Sequence, residues 1–165
     1  MIRAHTKSAE DTKELASSLA ALAKPGDLVL LAGDLGSGKT TFAQGFGAGL
    51  GVQEPIVSPT FTLVRTYQGR LPLVHCDVYR LDHLQEVIDL GLGEHLDDGA
   101  VALVEWGDVI APSLPADFLE VRLDYAALEQ AEADDDRSLQ LRVVGPTWSP
   151  RQVAIAAALS RWATA

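Results

Sequence analysis

The chain contains one glycine-rich segment that ends in lysine and threonine, Gly33-Asp34-Leu35-Gly36-Ser37-Gly38-Lys39-Thr40. It matches G-x-x-x-x-G-K-[ST], the pattern of a glycine-rich loop whose backbone amides converge on phosphate oxygens. Gly36 and Gly38 let the backbone approach a ligand closely, and Lys39 brings a point charge to the terminal phosphates. The Thr40 hydroxyl is a ligand for a Mg²⁺ ion that bridges phosphate oxygens. The stretch therefore predicts a solvent-facing loop that binds the phosphates of a nucleotide.

The residues on either side of this loop supply the context that a phosphate loop requires. The apolar run 28–32 is typical of a buried strand, and 40–50 predicts a helix that stops at Gly51. A chance glycine-rich turn would not be expected between a strand and a helix. Upstream, Ser8 followed by Asp11 predicts the capped start of a helix whose apolar face recurs down to Ala23.

The rest of the chain mixes predicted strands with predicted helices, which is typical of the α/β class. The predicted strands are 60–67, 71–77, 101–104, 118–124 and 139–144, and the predicted helices are two short ones within 81–96. Ser149 and Pro150 predict the N-cap and first residue of a C-terminal helix over about 149–163. The acidic stretch 129–136 predicts a solvated loop. At 165 residues, we expect a single domain over 1–165.

Composition excludes several classes of protein. The chain has 13 Lys and Arg against 23 Asp and Glu, a formal net charge of −10, so it repels polyanions and is a poor candidate for holding nucleic acid alone. No apolar run approaches the ~18 residues of a membrane span, and the first residues lack a secretory signal. We therefore expect a cytoplasmic protein with no membrane contact. Its one cysteine, Cys76, excludes an intrachain disulfide.

Two carboxylates are candidates for the metal-side group that phosphate-loop proteins place at the end of a neighbouring strand. Glu105 follows the cleaner apolar run. Asp77 ends another strand and belongs to a polar group with His75 and Tyr79. Either residue fits the metal, and the other then remains to orient the attacking water or to couple the site to a neighbouring loop.

Two features near these carboxylates carry weaker signals. The segment Ser58 to Thr62 places hydroxyl residues around a proline where a loop could approach the terminal phosphate. The same string also fits an ordinary turn. Trp106 directly follows Glu105. We predict that its ring packs in the core rather than stacking on this segment.

Four strings, taken in order and at their spacings, resemble the TsaE family: GDLGSGKTTFAQG, SPTFTLV, HCDVYRL and VEW. The likeness covers about residues 8 to 145. It implies a P-loop NTPase-like, three-layer α/β fold with a mixed, partly antiparallel central sheet. It also implies a protein that binds ATP and Mg²⁺, hydrolyses ATP slowly, and supports N6-threonylcarbamoyladenosine formation at position 37 of tRNA. TsaB and TsaD are the implied partners, and tRNA is contacted only through their complex.

The same resemblance assigns roles to individual positions. The implied phosphate-binding residues are Asp34, Leu35, Gly36, Ser37, Gly38, Lys39, Thr40 and Thr41. The implied metal ligands are Thr40 and Glu105, and the implied catalytic residues are Lys39, Asp77 and Glu105. Ser58 to Thr62 matches a switch-like segment, while Arg137 and Thr12 match the side of the base and sugar. The chain departs from the family at Gly107-Asp108-Val109 and in its longer acidic stretch.

Three other functions share a phosphate loop. A small-molecule kinase usually needs arginines in a mobile lid, and this chain has the scattered Arg65, Arg70 and Arg80 but no lid cluster. A GTPase usually reads guanine with an Asn-Lys-x-Asp string, and the absence of any asparagine excludes that interpretation. A non-catalytic adaptor, in which ATP only fixes a conformation, differs from an ATPase in having no turnover with or without partners.

Overall fold

A computed structural model of the chain describes residues 1–59, 63–79, 85, 89, 91–126 and 134–165. Its strands are β1 (Ile2–Thr6), β2 (Leu28–Ala32), β3 (Val64–Tyr67), β4 (Leu73–Asp77), β5 (Val101–Glu105), β6 (Phe118–Tyr125) and β7 (Arg137–Val144). Its helices are α1 (Ala9–Ala20), α2 (Lys39–Gly49), α3 (Leu92–Asp97), α4 (Gly107–Ile110) and α5 (Gln152–Ala158). Short 3-10 helices cover Ala111–Ser113, Ser149–Arg151 and Ser160–Trp162. Within these ranges, no helix has the length and apolar character needed to span a bilayer.

The described strands form one sheet, in the order β1-β7-β6-β2-β5-β4-β3, that is parallel at its centre and antiparallel at its edges. Strand β2 pairs in parallel with β5 on one side and with β6 on the other, and β5 continues in parallel to β4. Antiparallel pairs join β6 to β7, β7 to β1 and β4 to β3. The predicted mixed, partly antiparallel sheet is confirmed. The loop after β2 opens at the carboxyl ends of the parallel strands, where α/β proteins bind ligands.

Helices cover both faces of this sheet, because successive residues of a strand point to opposite sides. On one face, Leu31 of β2 belongs to a buried cluster with Phe42 of α2, together with residues of α1 and α5. On the other face, Leu30 belongs to a second cluster with Ile110 of α4 and Leu92 of α3. Every residue of β2 and β5 is buried. The architecture is therefore the predicted three-layer α/β fold.

Glycines on α2 bring helix α1 unusually close to the helix that leaves the loop. A Cβ added at Gly45 would collide with the backbone of Lys13, and one at Gly49 would lie 2.7 Å from the carbonyl oxygen of Ser17. The two helices therefore pack backbone against backbone at these positions. This contact places the first turns of α1 beside the glycine-rich loop.

The start of α1 agrees with the predicted cap. Ser8 is the N-cap, and its Oγ accepts a hydrogen bond from the backbone N–H of Asp11 at 3.0 Å. The Asp11 carboxylate in turn accepts the N–H of Lys7, also at 3.0 Å. The helix ends at Ala20, three residues earlier than predicted, because the following turn tightens to hydrogen bonds such as Ala23 N–H to the Ala20 carbonyl.

The sequence interpretation missed strand β1. Only Ala4 and Thr6 of its five residues are buried, so the strand shows no strong local hydrophobic pattern. Its place in the sheet comes from antiparallel pairing with β7, in which Ile2 lies opposite Leu141. A partner this distant in the chain has no local signature.

Several element boundaries differ from prediction or fall outside the described residues. Strand β3 begins at Val64, while residues 60–62 of the predicted strand lie outside the described part. Of the two helices predicted within 81–96, the structure describes α3. Residues 81–84, 86–88 and 90 lie outside the described part of the chain. Ser149 is not a helix N-cap, because a 3-10 turn capped by Trp148 precedes α5.

The acidic stretch is only partly the predicted solvated loop. Residues 129–133 lie outside the described part of the chain, and Asp134 and Asp135 are exposed. Asp136, however, is 2% exposed, and its carboxylate lies 3.3 Å from Nε2 of His5. The prediction is wrong for Asp136 because the β6–β7 hairpin turns it inward against β1.

A buried ion pair ties the C-terminal region to the turn that precedes β2. The guanidinium of Arg151 donates two hydrogen bonds to the Asp27 carboxylate, at 2.7 and 2.8 Å. The same guanidinium lies 3.8 Å from the ring centroid of Trp148 and also donates to the carbonyl of Leu22. Asp27 is 2% exposed and Arg151 is 8% exposed. The pair therefore fixes the entry of β2, and with it the origin of the loop.

Candidate functional site

The glycine-rich loop has a backbone conformation that only glycine adopts readily. Gly33, Gly36 and Gly38 have φ values of 136°, 79° and 106°. A Cβ at Gly33 would collide with the carbonyl oxygen of Leu123, and one at Gly36 would lie 2.9 Å from the hydroxyl of Tyr125. The loop is therefore held against β6 by contacts that exclude a side chain.

Lys39 is buried beneath this loop. Its Nζ donates hydrogen bonds to the carbonyls of Gly33 at 2.7 Å and Asp34 at 2.9 Å. Lys39 is only 5% exposed, although Leu35 at the tip of the loop is 78% exposed. The expectation of a fully solvent-facing loop is thus wrong for its lysine. Burial lowers the pKa of the Lys39 ammonium, against the opposing negative charges of Glu105, Asp77, Asp108 and Asp34.

The ring of Trp106 forms one wall around this ammonium. Lys39 Nζ lies 4.0 Å from the ring centroid, and the ring of Tyr79 meets Trp106 edge-on at 5.2 Å. Trp106 has φ +63°, a left-handed conformation that costs a non-glycine residue about 1–3 kcal/mol. The prediction that Trp106 only packs is therefore incomplete, because the strained turn after β5 aims its ring at the lysine.

Glu105, Thr40 and His75 form a hydrogen-bonded group beside the lysine. The Thr40 hydroxyl donates to Glu105, at 3.1 Å to Oε1 and 3.4 Å to Oε2. His75 Nε2 lies 2.6 Å from Glu105 Oε2. Glu105 is 3% exposed. The sequence interpretation placed His75 with Asp77. In the sheet its imidazole contacts Glu105 on the neighbouring parallel strand, and it also acts to lower the pKa of the Asp77 carboxyl.

Asp77 lies next to Glu105 in the sheet, since the two residues are in register on β4 and β5. Its carboxylate accepts the backbone N–H of Tyr79 at 3.0 Å and the Ser58 hydroxyl at 3.4 Å. Burial, and next the negative charge of Glu105, raises the pKa of the Asp77 carboxyl. Ser58 of the predicted switch-like segment is thus beside the carboxylates, while Thr60 to Thr62 lie outside the described residues.

The raised pKa of Asp77 leads to a prediction about stability. The folded state binds the Asp77 proton more tightly than the unfolded state, so this stabilisation is complete below the ordinary carboxyl pKa and is lost as pH rises through the folded value. At pH 7 the ionised side chain therefore destabilises the fold. We expect Asp77→Asn to raise the melting temperature at pH 7, with a gain that shrinks toward acid pH.

Thermal unfolding across this pH range tests the effect. The exposed carboxylate of Glu54 provides a matched control, because Glu54→Gln is expected to show no such pH-dependent gain. A melting temperature of Asp77→Asn at or below that of the wild type at pH 7 would contradict the assignment.

Two adjoining cavities collect the predicted site residues other than Asp34 and Ser37, which line neither cavity. One, of about 240 Å³, is lined by Leu35, Gly36, Gly38, Lys39, Thr40, Thr41, Ser58, Asp77, Glu105 and Trp106. The other, of about 80 Å³, is lined by Ala9, Thr12, Gly36, Gly38, Thr41, Asp135 and Arg137. Gly36, Gly38 and Thr41 line both cavities, so the two lie on either side of the same loop. Larger grooves exist, such as one of about 500 Å³ between α1 and α2, but its lining includes no residue of the loop.

Arg137 approaches the loop from β7. Its Nε donates to the Ser37 carbonyl at 2.9 Å, and its guanidinium lies 4.5 Å from the ring centroid of Tyr125. Thr12 of α1 faces the same small cavity and shares a buried 2.7 Å hydrogen bond with Thr6. Tyr125 was missed in the sequence, where its only signal was its place directly after the predicted strand 118–124.

The oxygen donors of the larger cavity suit Mg²⁺. Carboxylate and hydroxyl oxygens are hard ligands, and Mg²⁺ is usually held by one or two protein groups together with substrate phosphates and water. Thr40 and Glu105 provide such a pair. No cluster of three or more His, Cys, Asp or Glu side chains among the described residues could hold a metal by itself. The residues present therefore fit a metal that binds together with phosphates.

Strand β2 leads into a glycine-rich loop that ends in lysine and threonine, and helix α2 follows. This arrangement, in a three-layer α/β fold with a mixed sheet, defines the P-loop NTPase-like class. The TsaE family, described as "Threonylcarbamoyl adenosine biosynthesis protein TsaE", matches residues 6–134. The chain belongs to the TsaE family.

Individual relatives agree with this assignment. The tRNA threonylcarbamoyladenosine biosynthesis protein TsaE of Bacillus subtilis is 45% identical over 141 residues, which cover 85% of this chain and 84% of the relative. The protein of the same name from Streptomyces coelicolor is 41% identical over 149 residues, covering 88% of this chain and 99% of that one. The crystal structure of Bacillus subtilis YdiB superposes with a TM-score of 0.76 at 38% identity, covering 98% of this chain and 97% of that chain.

Proposed function

We propose that this chain is an ATP-binding, slowly ATP-hydrolysing accessory protein in the formation of N6-threonylcarbamoyladenosine at position 37 of tRNA. In this proposal it acts in the cytoplasm with TsaB and TsaD. The observation that carries the ATP-dependent activity is one cavity lined by Lys39, Thr40, Asp77 and Glu105 at the carboxyl ends of parallel strands. The printed names of its relatives support the place in tRNA modification.

Each residue of the cavity has a distinct role in this proposal. Backbone amides of the loop bind the phosphates, and the Lys39 ammonium moves from the Gly33 and Asp34 carbonyls to the terminal phosphate oxygens. Thr40 and Glu105 hold the Mg²⁺, which supplies charge neutralisation at the phosphates when bound. Asp77 orients the attacking water. Ser58 couples Asp77 to the rest of the switch-like segment.

The smaller cavity, of about 80 Å³, borders the nucleoside part of ATP. Thr12 and Arg137 lie across the loop from the carboxylates, on the side where the sugar and base of a bound nucleotide would leave the phosphates. The stacked Tyr125 ring holds the guanidinium of Arg137 over this cavity.

The charge of the chain supports indirect contact with tRNA. A formal net charge of −10 disfavours binding of a polyanion, so the partner proteins hold the tRNA. The chain then contributes nucleotide binding and hydrolysis to the complex.

Reconstitution tests the proposal. ATP turnover is measured for the chain alone and with TsaB and TsaD, together with the yield of modified adenosine over repeated cycles, and GTP serves as the control nucleotide. We expect slow ATP turnover that the partners stimulate, and little use of GTP. Phosphate transfer from ATP to a small molecule would favour a kinase, and partner binding without turnover would favour a non-catalytic adaptor.

The two carboxylates are expected to separate in their effects on metal and turnover. Glu105→Ala should weaken the Mg²⁺ dependence of ATP binding, because Glu105 contacts the metal-binding hydroxyl of Thr40. Asp77→Ala should leave binding nearly intact and lower turnover, because the lost interaction is made mainly in the transition state. Titration of Mg²⁺ against nucleotide affinity in both variants measures this. A shifted Mg²⁺ midpoint in Asp77→Ala but not in Glu105→Ala would reverse the two roles.

A further inference from the structure

His75 contacts the site carboxylate from within the core. The side chain is fully buried on β4, and its Nε2 lies 2.6 Å from Oε2 of Glu105. Its Nδ1 is also buried and has no hydrogen-bond partner among the described residues. Among the residues that the structure describes, the contact with Glu105 is therefore the one hydrogen bond that orients this ring.

The chemistry of the carboxylate sets the direction of this hydrogen bond. A carboxylate oxygen only accepts, so Nε2 carries the hydrogen and donates it to Oε2. Oε1 of Glu105 is left as the oxygen closer to the Thr40 hydroxyl, at 3.1 Å. The two oxygens thus have different partners. Oε2 accepts from His75 in the core, and Oε1 faces Thr40 at the end of the loop.

We propose that His75 is a positioning residue, which fixes Glu105 so that Oε1 is presented to Thr40 and to a Mg²⁺ that binds with the nucleotide. This inference rests on the function proposed above. Rotation about the last bond of a glutamate side chain has broad minima, so an unrestrained carboxylate samples several orientations. Groups behind a metal ligand that restrict this freedom commonly change metal affinity 10- to 100-fold when removed.

Three substitutions separate positioning from simple packing. The side-chain amide of glutamine reaches the place of Nε2, so His75→Gln retains a donor to Oε2. The shorter asparagine side chain reaches only the place of Nδ1, and leucine fills the volume without any donor. A histidine that only fills space is replaced best by leucine, whereas a positioning histidine is replaced best by glutamine.

The test measures affinity for a fluorescent ATP analogue, both without metal and as a function of Mg²⁺. We expect His75→Gln to keep the Mg²⁺ midpoint within about threefold of the wild type. We expect His75→Asn and His75→Leu to raise it about tenfold or more, while affinity without metal stays unchanged. In a Glu105→Ala background, His75→Leu should cause no further shift, because His75 acts through Glu105.

The outcomes are decisive for the inference. Equal Mg²⁺ midpoints in all three variants, or restoration by asparagine as complete as by glutamine, would overturn it. If His75→Leu does not fold, the comparison of glutamine with asparagine still decides. A wild-type protein whose nucleotide binding is independent of Mg²⁺ would instead overturn the proposed metal site, and the inference with it.

Discussion

Replacing Lys39 with methionine is expected to lower ATP turnover by a factor of at least about 10² to 10³, as for loss of a transition-state hydrogen-bond donor elsewhere. The ammonium is the cation that the structure holds beneath the loop, and burial strengthens its attraction for phosphate charge. Lys39 is also the last lysine of the chain, so no later lysine can replace it.

The choice of methionine follows from the burial of the side chain. Lys39→Ala would remove the charge but also the contact with the Trp106 ring, whereas methionine keeps an apolar chain of similar length there. The exposed Lys24 provides the matched control, since Lys24→Met is expected to leave turnover unchanged. Steady-state phosphate release measures both. Turnover by Lys39→Met within about threefold of the wild type would refute the phosphate-loop assignment.

Of all the substitutions proposed, one that breaks the Asp27–Arg151 pair is expected to lower the free energy of unfolding most. Arg151→Met leaves the Asp27 carboxylate buried without its bidentate partner, and such a change typically costs about 3–5 kcal/mol in the free energy of unfolding. Since small domains are stable by only about 5–15 kcal/mol, this is a large fraction of the total. Urea denaturation of the variant and the wild type measures the difference.

A double-mutant cycle distinguishes an orphaned charge from lost packing. Asp27→Ala combined with Arg151→Met removes both partners, so it should be less destabilising than the sum of the single changes. The pair of Arg142 and Glu120 is the control, because Arg142 is half exposed. Arg142→Met should change stability by less than about 1 kcal/mol. Additive effects of Asp27→Ala and Arg151→Met would show that the pair itself contributes little.

Elements that depend on neighbours in the chain agreed well with prediction. Strands β2 and β5 are continuous apolar runs, which is the pattern of strands buried on both faces, and the structure buries all their residues. Strand β1 was missed because its partner β7 lies at the other end of the chain. The cap of the C-terminal region was misassigned because a 3-10 turn, rather than an α-helix, begins at Ser149.

The candidate site divides in the same way. Lys39, Thr40, Asp77 and Glu105 were predicted because each belongs to a local pattern, either the loop or the end of an apolar strand. The contacts between residues far apart in the chain were not predicted, although the family resemblance already placed Arg137 near the nucleotide. His75 contacts Glu105 across 30 residues of sequence, Arg137 reaches Ser37 across 100, and Arg151 reaches Asp27 across 124.

The glycine-rich loop, the strand before it and the helix after it could be predicted from the sequence alone, because turn chemistry and hydrophobic periodicity act between near neighbours. The burial of Lys39 against Trp106, and the contact of the His75 imidazole with Glu105, appear only in the folded chain. The physical reason is that parallel pairing brings separate strands into register, and the direction of a side chain across that register depends on packing from the whole sheet.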